Sequence, residues 1–327
     1  MPRPPRLRAV STTALAVVLV AAVAVVVDAA VLVHRVPTFP GRLPGTDRGS
    51  TTLLLASDSR SRLPAGQRSR YADPLQSTGE RADLVLLLRR EPDGTTRLYS
   101  LPRDLYVGAQ RHRPHRLGLA LEEGPTGVAD SLCLDLGVGV DHVLVADMAG
   151  AQDLVDATGR VRVRTQLPMR DLGSGLDLPR PGVHELDGEE ALAWVRSRHP
   201  EVQVGGRWVP DPASDPTRTA HAEQVLSQVA GRIDSPVTLQ RVAWSVGPTL
   251  RRDEGLDAAG LVRLGRDLRQ AVGSPVVTVP GAASGTDVPF TFVTPATMRA
   301  LAPLQSSSCS AAGTTGHGAP ASTPQGG

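Results

Sequence analysis

The stretch RADLVLLLRREPDGTTRLYSLPRD (residues 81–104) contains two apolar runs separated by a turn-rich segment. LVLLL (84–88) and RLYSL (97–101) have the residue types of short strands, and the EPDGTT between them carries the Pro, Asp and Gly of a tight turn. The pattern therefore predicts a β-hairpin. Because the start of one hairpin strand lies beside the end of the other, we expect Asp83 and Arg103 to share one edge of the sheet.

The elements around this hairpin alternate between strand and helix patterns. TTLLLA (51–56) and HVLVA (142–146) predict buried strands, and Asp187 with Glu190 forms a capping box that opens a helix. The remaining predictions are strands at 161–166 and 276–279 and helices at 126–136, 148–158, 219–233, 238–250, 257–271 and 295–304. Strands that alternate with helices are typical of an α/β fold with a central mixed sheet.

Charged side chains follow the ends of these strands. Asp58 and Arg60 come after strand 51–56, and they join Asp83 and Arg103 if that strand runs antiparallel to the first hairpin strand. Paired carboxylates suit a hard cation such as Mg²⁺, and guanidinium groups suit phosphate oxygens. The pattern indicates a metal-assisted phosphoryl or pyrophosphoryl site. The alternative is that each strand end simply carries a solvated charge.

A second group of arginines flanks the capped helix. Arg196 and Arg198 in WVRSRH (194–199) follow its last turn, where cations also oppose the helix dipole. Arg218 opens the next predicted helix, and the dipole does not favour a cation at that end.

The composition excludes several classes of site. All 35 Lys+Arg residues are Arg, and the 327-residue chain has no Lys and no Asn, as expected from a GC-rich genome. P-loop, Schiff-base and kinase-type lysines and N-glycosylation acceptors are therefore absent. The formal net charge of +2 does not favour a nucleic-acid partner. The sequence also lacks HExxH, GxGxxG and CxxC motifs.

The N-terminus has the pattern of a membrane anchor. A short basic tail (1–8) precedes an apolar segment (9–33) that is long enough to cross a bilayer. The denser positive charge on the first flank predicts a cytoplasmic N-terminus and a single pass, with the remainder outside the cell membrane. A cleaved signal peptide is the alternative, since small residues occur at Ala29 and Ala30.

The rest of the chain divides into three parts. A Pro- and Gly-rich linker (34–50) leads to a globular domain (51–305), and a tail (306–327) has the composition of a disordered segment. Cys133 and Cys309 form a disulfide if the compartment is oxidising, or remain as two unpaired thiols.

Five segments occur in an order that resembles one known family. They are LLLASDSR (53–60), RADLVLLLRR (81–90), LYSLPRDLYV (98–107), LDGEEALAWVRSRH (186–199) and DPTRTAHAEQVL (215–226). Together with the anchor they resemble the LytR–CpsA–Psr family of cell-wall enzymes, in its actinobacterial form. The resemblance covers roughly residues 51–305.

The resemblance implies a fold and an activity. The fold is an α/β/α sandwich around a central mixed sheet, with an apolar pocket for a lipid, preceded by one transmembrane helix. The activity is a Mg²⁺-dependent phosphotransfer outside the cytoplasmic membrane, which attaches a glycopolymer from a polyprenyl-pyrophosphate carrier to peptidoglycan. The partners are therefore a lipid-linked glycan, a peptidoglycan acceptor and the membrane, with no nucleic acid.

The resemblance also implies roles for individual residues. Asp58 and Asp83 match the metal-associated acids of the family. The arginines that match its pyrophosphate ligands are Arg60, Arg81, Arg103, Arg196, Arg198 and Arg218. Asp83, Arg103 and Asp104 are the candidate catalytic residues, because an acceptor hydroxyl needs a base and Asp83 or Asp104 can supply it.

Three departures from the family pattern leave the activity open. The usual KIN element is Arg116–Leu117–Gly118, and the usual RQQ element is His221–Ala222–Glu223. In the usual RSDT, Ala82 replaces Ser and Leu84 replaces Thr. Besides an active transferase, the sequence is therefore compatible with a weak or inactive paralogue that binds polyprenyl (pyro)phosphate lipids. Hydrolysis of the lipid pyrophosphate is a third alternative.

Overall fold

The computed structural model describes most of the predicted domain. It covers residues 34–70, 79–211, 235–284 and 290–309, with shorter pieces at 28, 31–32, 221, 224–225, 227–229 and 231–233. The predicted tail 1–8, nearly all of the predicted span 9–33, and Arg218 lie outside the described residues. Within the described part, no helix is both long and apolar enough to cross a bilayer.

Strands and helices alternate along the chain as predicted. The strands are β1 (Thr38–Phe39), β2 (Ser50–Ser57), β3 (Ala82–Arg90), β4 (Thr96–Leu101), β5 (Tyr106–Val107), β6 (His115–Arg116), β7 (His142–Ala146), β8 (Val161–Thr165), β9 (Met169–Asp171), β10 (Leu176–Leu178), β11 (Gly182–Leu186), β12 (Glu201–Val204), β13 (Arg207–Pro210), β14 (Leu250–Asp253), β15 (Val277–Thr278), β16 (Ala282–Ala283) and β17 (Thr291–Phe292). The helices with defined bounds are α1 (Ala65–Arg70), α2 (Pro125–Leu136), α3 (Met148–Thr158), α4 (Gly188–Arg196), α5 (Pro236–Val246), α6 (Ala258–Val272) and α7 (Pro295–Leu301). The described residues between 221 and 232 are also helical.

The central sheet is mixed, as predicted, and it has the order β1-β14-β7-β2-β3-β4-β15. The predicted hairpin is β3–β4, in which Val85 faces Leu101 across antiparallel strands. β2 runs antiparallel to β3 and parallel to β7. The ends of β2, β4 and β7 and the start of β3 therefore meet at one edge of the sheet.

Helices cover both faces of this sheet. Leu53 and Leu55 of β2 pack with Val128 and Leu132 of α2 on one face. Leu54 points the other way and packs against the cluster that contains Leu264 of α6. Neighbouring residues of a strand point to opposite faces, so this near-continuous apolar strand is explained by burial on both sides. The arrangement is the predicted three-layer α/β/α sandwich.

A second apolar core lies beside the first. α4 contributes Ala191 and Trp194, β8 contributes Val161 and Val163, and Val225 belongs to the helical stretch after residue 220. The capping box of α4 is present, since Asp187 accepts a hydrogen bond from the Glu190 amide and Glu190 from the Asp187 amide. The end of α4, with its arginines, is therefore positioned by this second core.

Two predictions from the sequence need correction, and one small sheet was not predicted. The predicted linker 34–50 contains β1, which pairs in parallel with β14, and Val36 in it is buried. The predicted helix 238–250 ends at Val246, because Gly247 and Pro248 interrupt it, and Leu250 begins β14. The separate sheet β10-β9-β12-β13 was not predicted, because its strands have only three or four residues each.

The two cysteines form a disulfide, the first of the two alternatives left open by the sequence. Ser306 and Cys309 are buried, and the carboxylate of Asp47 accepts hydrogen bonds from Ser306 and Ser307. The folded domain thus extends four residues past the predicted boundary at 305, and the tail beyond Cys309 lies outside the described residues.

We expect Cys309→Ser to lower the stability of the domain by about 2–5 kcal/mol, because the disulfide closes a long loop in the unfolded chain. The cysteines are separated by 176 positions. Thermal unfolding in oxidising buffer measures the effect. Cys133→Ser/Cys309→Ser, which leaves no free thiol, is the matched control and should unfold at a similar temperature to the single variant. An unchanged melting temperature in both variants would contradict this role.

Candidate functional site

The edge where β2 ends and β3 begins brings the first group of predicted residues together. The Asp58 amide donates to the Arg81 carbonyl (2.9 Å), and the Arg81 amide donates to Asp58 Oδ1 (2.8 Å). A register shift after Ala56 precedes this reciprocal pair. The two hydrogen bonds hold the end of β2 against the start of β3. They place Asp83 close enough to Asp58 for the two carboxylates to repel each other.

A chain of alternating charges continues from Asp83 across this edge. Asp83 forms an ion pair with Arg103, whose Nε lies 3.6 Å from Asp104 Oδ2. Arg116 Nη1 lies 3.4 Å from the other oxygen of Asp104. Asp83 and Arg103 remain 42% and 29% exposed, so both side chains are accessible to a ligand from solvent. The structure thus brings Asp58, Asp83, Arg103 and Asp104 to one place, as the hairpin predicted.

The environment of Asp58 disfavours its negative charge. Burial raises the pKa of this carboxyl and repulsion from Asp83 raises it further, while the Arg81 amide and the charges of Arg60 and Arg81 oppose the shift. A bound cation would stabilise the negative charges of Asp58 and Asp83, and would therefore oppose the rise in the pKa of Asp58. Two carboxylates fit Mg²⁺, which takes its other ligands from water and phosphate oxygens. No group of three or more potential metal ligands occurs within the described ranges.

Gly118, at the position of Asn in the family's KIN element, lies where two backbone segments come close together. Its amide donates to the Arg103 carbonyl (2.7 Å), and a Cβ at this position would lie 2.5 Å from the Ala82 carbonyl oxygen. The backbone segments that carry Asp83 and Arg103 therefore approach Gly118 so closely that no side chain fits at this position. Arg116, in place of the family's Lys, retains a cation beside Asp104.

Arg196 reaches the same edge of the sheet from the second core. Its Nη1 lies 3.4 Å from Met148 Sδ, and the Met148 amide is 3.4 Å from the Ser59 carbonyl oxygen. Because Ser59 directly follows Asp58, Arg196 is placed near the first group. Arg198 is exposed to solvent at the adjacent turn. Arg218 cannot be placed, because it lies outside the described residues.

The turn that carries Arg198 is held by a residue that sequence reasoning missed. Asp171 Oδ2 accepts hydrogen bonds from the Ser197 hydroxyl (2.8 Å) and from the Arg198 and His199 amides (2.8 and 3.0 Å). Burial alone would raise the pKa of Asp171, but these hydrogen bonds outweigh it and lower the pKa. The DLGSG sequence predicts a local turn at Asp171, but it contains no signal for this long-range contact.

Further charged residues border the site without having been predicted. Glu80 accepts hydrogen bonds from the Ser57 hydroxyl and from Arg251. Arg62 lies 3.7 Å from Asp147, the N-cap of α3, and burial raises the pKa of that carboxyl. Arg251 was missed because β14 has only one apolar residue and shows no alternation.

His221, the first residue of the altered RQQ element, is neutral at neutral pH. Its ring stacks on Trp194 with 4.0 Å between centroids, and burial lowers its pKa below the ordinary value. A neutral imidazole gives an anion less stabilisation than the guanidinium that the family pattern has there. Glu223 lies outside the described residues.

A cavity of about 430 Å³ lies at the opposite end of β4 from Arg103. Its lining is mixed polar and apolar, and consists of Thr95, Thr96, Arg97, Gln270, Ser274, Pro275 and Val277. Neither its place nor its lining fits the apolar lipid pocket implied by the resemblance.

We expect Asp171→Asn to destabilise the domain at pH 7 by about 1–3 kcal/mol, because the neutral amide is a weaker acceptor for three donors. The native pKa of Asp171 is lowered, so the ionised carboxylate stabilises the fold above the ordinary carboxyl range. This stabilisation is lost as the pH falls through the native pKa, and the two proteins should then converge. Chemical denaturation at several pH values measures this, with the exposed Asp177→Asn of β10 as control. A pH-independent difference would contradict the assignment.

Comparison with known proteins agrees with the sequence resemblance. The model of the LytR_cpsA_psr family matches residues 36–288. The probable cell wall biosynthesis protein LcpB of Corynebacterium glutamicum is 31% identical over 166 residues, which cover 50% of this chain and 40% of that protein. The polyisoprenyl-teichoic acid–peptidoglycan teichoic acid transferase TagT of Bacillus subtilis is 26% identical over 228 residues, which cover 67% and 64%.

A solved structure extends the similarity to the fold. The LytR-Csp2A-Psr enzyme from Actinomyces oris superposes with a TM-score of 0.65 at 27% identity, covering 84% of this chain and 97% of that one. The alignments with the two curated proteins span less than two thirds of the length of each relative. The family match over most of the chain and the shared fold show that the chain belongs to the LytR_cpsA_psr family.

Proposed function

We propose that this protein is a membrane-anchored phosphotransferase that moves a glycopolymer from a polyprenyl-pyrophosphate carrier to peptidoglycan. The observation that carries the proposal is the exposed Asp83–Arg103 pair beside Asp58 at the edge of the central sheet. Diphosphate brings several negative charges to one place, and converging guanidinium groups are the side chains best suited to bind them. The names of TagT and LcpB, which describe cell-wall assembly, support the same class of reaction.

The location is part of this proposal. The apolar segment 9–33 anchors the chain in the cell membrane with the N-terminus in the cytoplasm, and the domain faces outward. A disulfide between Cys133 and Cys309 is consistent with an oxidising compartment.

The residues of the site have distinct tasks in this reaction. Arg60, Arg81, Arg103 and Arg196 bind the diphosphate oxygens, and Asp104 is the base that takes the proton of the acceptor hydroxyl. The hydroxyl oxygen forms a bond to the sugar-side phosphorus, and the bond from that phosphorus to the bridging oxygen breaks. Polyprenyl phosphate leaves with the electron pair, and the guanidinium groups stabilise its charge.

Mg²⁺ is the proposed cofactor, held by Asp58 and Asp83. When bound, it neutralises diphosphate charge and polarises the reacting phosphoryl group. Asp83 is paired with Arg103 in the absence of ligand. Transfer of Arg103 from Asp83 to the diphosphate would leave the Asp83 carboxylate available to the cation.

We expect Arg103→Ala and Asp83→Ala each to lower turnover by at least about 100-fold. Arg103→Ala removes a cation that stabilises the phosphate charge, and Asp83→Ala removes a proposed ligand of Mg²⁺. The assay supplies the full-length protein with Mg²⁺, a polyprenyl-pyrophosphate-linked glycan and peptidoglycan fragments. It follows polyprenyl phosphate release and glycan transfer. Arg162→Ala is the matched control, since Arg162 is 69% exposed and pairs with Glu185 on the β8–β11 sheet. Wild-type rates in either site variant would show that the site is wrongly assigned.

The same assay distinguishes the other two activities. Release of polyprenyl phosphate without any acceptor would identify a lipid pyrophosphate hydrolase. Binding of the lipid-linked glycan without release would identify a lipid-binding protein that has lost turnover. Either result would replace the proposed transferase.

One observation favours the second of these candidates. His221 is stacked on Trp194 and its pKa is lowered, so the site lacks a cation that the family pattern places at this position. A weakened diphosphate site would retain binding while losing part of the stabilisation of the leaving phosphate.

We expect His221→Arg combined with Glu223→Gln to raise the turnover of the transferase, by about tenfold if one guanidinium–phosphate contact is restored. Steady-state rates of glycan transfer measure this. His184→Arg is the control for a positive charge added elsewhere, since His184 lies on β11 in the β8–β11 sheet. Equal rates in the wild type and the double variant would mean that the altered element does not limit the reaction.

A further inference from the structure

The end of the apolar N-terminal segment is in contact with the folded domain. Asp28 is the only charged residue in the segment 9–33. Its carboxylate accepts hydrogen bonds from Gln240 Nε2 and from Trp244 Nε1, the latter at 3.0 Å. Both donors belong to α5, so the chain entering the domain is attached to this helix well before β1 begins.

A second contact supports the same attachment. The guanidinium of Arg35 lies 4.5 Å from the centre of the Trp244 ring, in cation–π geometry. Val36 follows, is buried, and lies beside Gly247 at the end of α5. Arg35 contacts Trp244, whereas Asp28 also contacts Gln240, which lies one turn closer to the start of α5. The chain therefore runs toward the first turn of α5 when it is followed back from Arg35 to Asp28. Val237 of that turn is 69% exposed, and Val31 of the entering segment is 41% exposed.

These residue types are the ones expected at a membrane surface. An ionised Asp is unfavourable within the hydrocarbon, so Asp28 is stable only where it has polar partners outside the apolar core. Trp and Arg are typical of the interfacial layer, where an apolar body and a polar group are both accommodated. Val31 and Val237 add two exposed apolar side chains to this part of the surface.

The other end of α5 borders the candidate site. Pro248, two residues past the helix, accepts a hydrogen bond from Arg62 Nη1 at 2.6 Å, and Arg62 pairs with Asp147. The eight positions from Gln240 to Pro248 span about 12 Å at the helical rise. α5 is thus a short rigid connection between the membrane exit and the edge of the sheet.

We infer that Asp28, Gln240, Trp244 and Arg35 form a juxtamembrane clamp that fixes the orientation of the domain on the bilayer. The clamp keeps the diphosphate site within reach of a lipid-linked substrate whose diphosphate lies at the membrane surface. The inference depends on the proposed membrane anchor and lipid substrate. Its four residues are positioning residues, which act on the substrate through the orientation of the domain.

The test uses the full-length chain in phospholipid vesicles and the variant Gln240→Ala/Trp244→Phe, which removes both donors to Asp28 and leaves segment 9–33 unchanged. The vesicles contain a long-chain polyprenyl-pyrophosphate glycan, and a short-chain water-soluble analogue is assayed separately. We expect transfer from the embedded substrate to fall about tenfold, because the site is no longer held over it, while transfer from the soluble analogue stays within about twofold. Ser245→Ala, on the same helix, should leave both rates unchanged.

A cross-link tests the contact without an activity readout. Asp28→Cys/Gln240→Cys should form a second disulfide in vesicles and retain transfer from the embedded substrate, whereas Asp28→Cys alone should not form an intramolecular bond. Failure of the paired cysteines to cross-link, or equal effects of Gln240→Ala/Trp244→Phe on both substrates, would overturn the clamp. If Asp28→Cys/Gln240→Cys cross-links but the wild-type protein turns over neither substrate, the proposed transferase is overturned instead.

Discussion

The reciprocal hydrogen bonds between Asp58 and Arg81 are the constraint on which the candidate site depends. Through them the end of β2 and the start of β3 are locked together immediately after the register shift of the β2–β3 ladder. The carboxylate of Asp58 is partly used as a structural acceptor, yet it remains destabilised by burial and by Asp83. The backbone therefore holds in place a carboxyl group whose negative charge is disfavoured.

The site also depends on the joining of two cores. The sandwich supplies Asp58, Asp83 and Arg103, whereas the second core supplies Arg196 through the packing of α4. The contacts of Arg196 with Met148 and of Met148 with Ser59 connect the two groups. Asp171 fixes the turn that follows, so a buried carboxylate in a small separate sheet controls the position of an exposed arginine. The position of Arg196 beside the first group of charges therefore depends on the packing of the second core.

The sequence was sufficient for those parts of the fold that have strong local patterns. The β3–β4 hairpin, the alternation of strands and helices and the capped helix α4 were predictable because apolar runs, a turn and a capping box define them locally. The α/β/α layers were implied by the family resemblance. It was insufficient where the structure depends on contacts that are distant along the chain. β14 has the sequence LRRD and pairs with β7 through backbone groups, so its Arg251 could not be assigned to the site edge. Glu80 and Asp171 are recognised only through their partners in space.

The absence of Lys and Asn from the chain affects the candidate site at Arg116 and Gly118. Genome bias accounts for Arg116 in place of Lys, and the cation is preserved because Arg116 still pairs with Asp104. At Gly118 the backbone has closed around the glycine, so a side chain there would collide with the Ala82 carbonyl oxygen. The strands that carry Asp83 and Arg103 approach each other over this glycine, which brings the two charges of the pair together. The glycine at this position therefore permits the close approach of the backbone segments that carry Asp83 and Arg103.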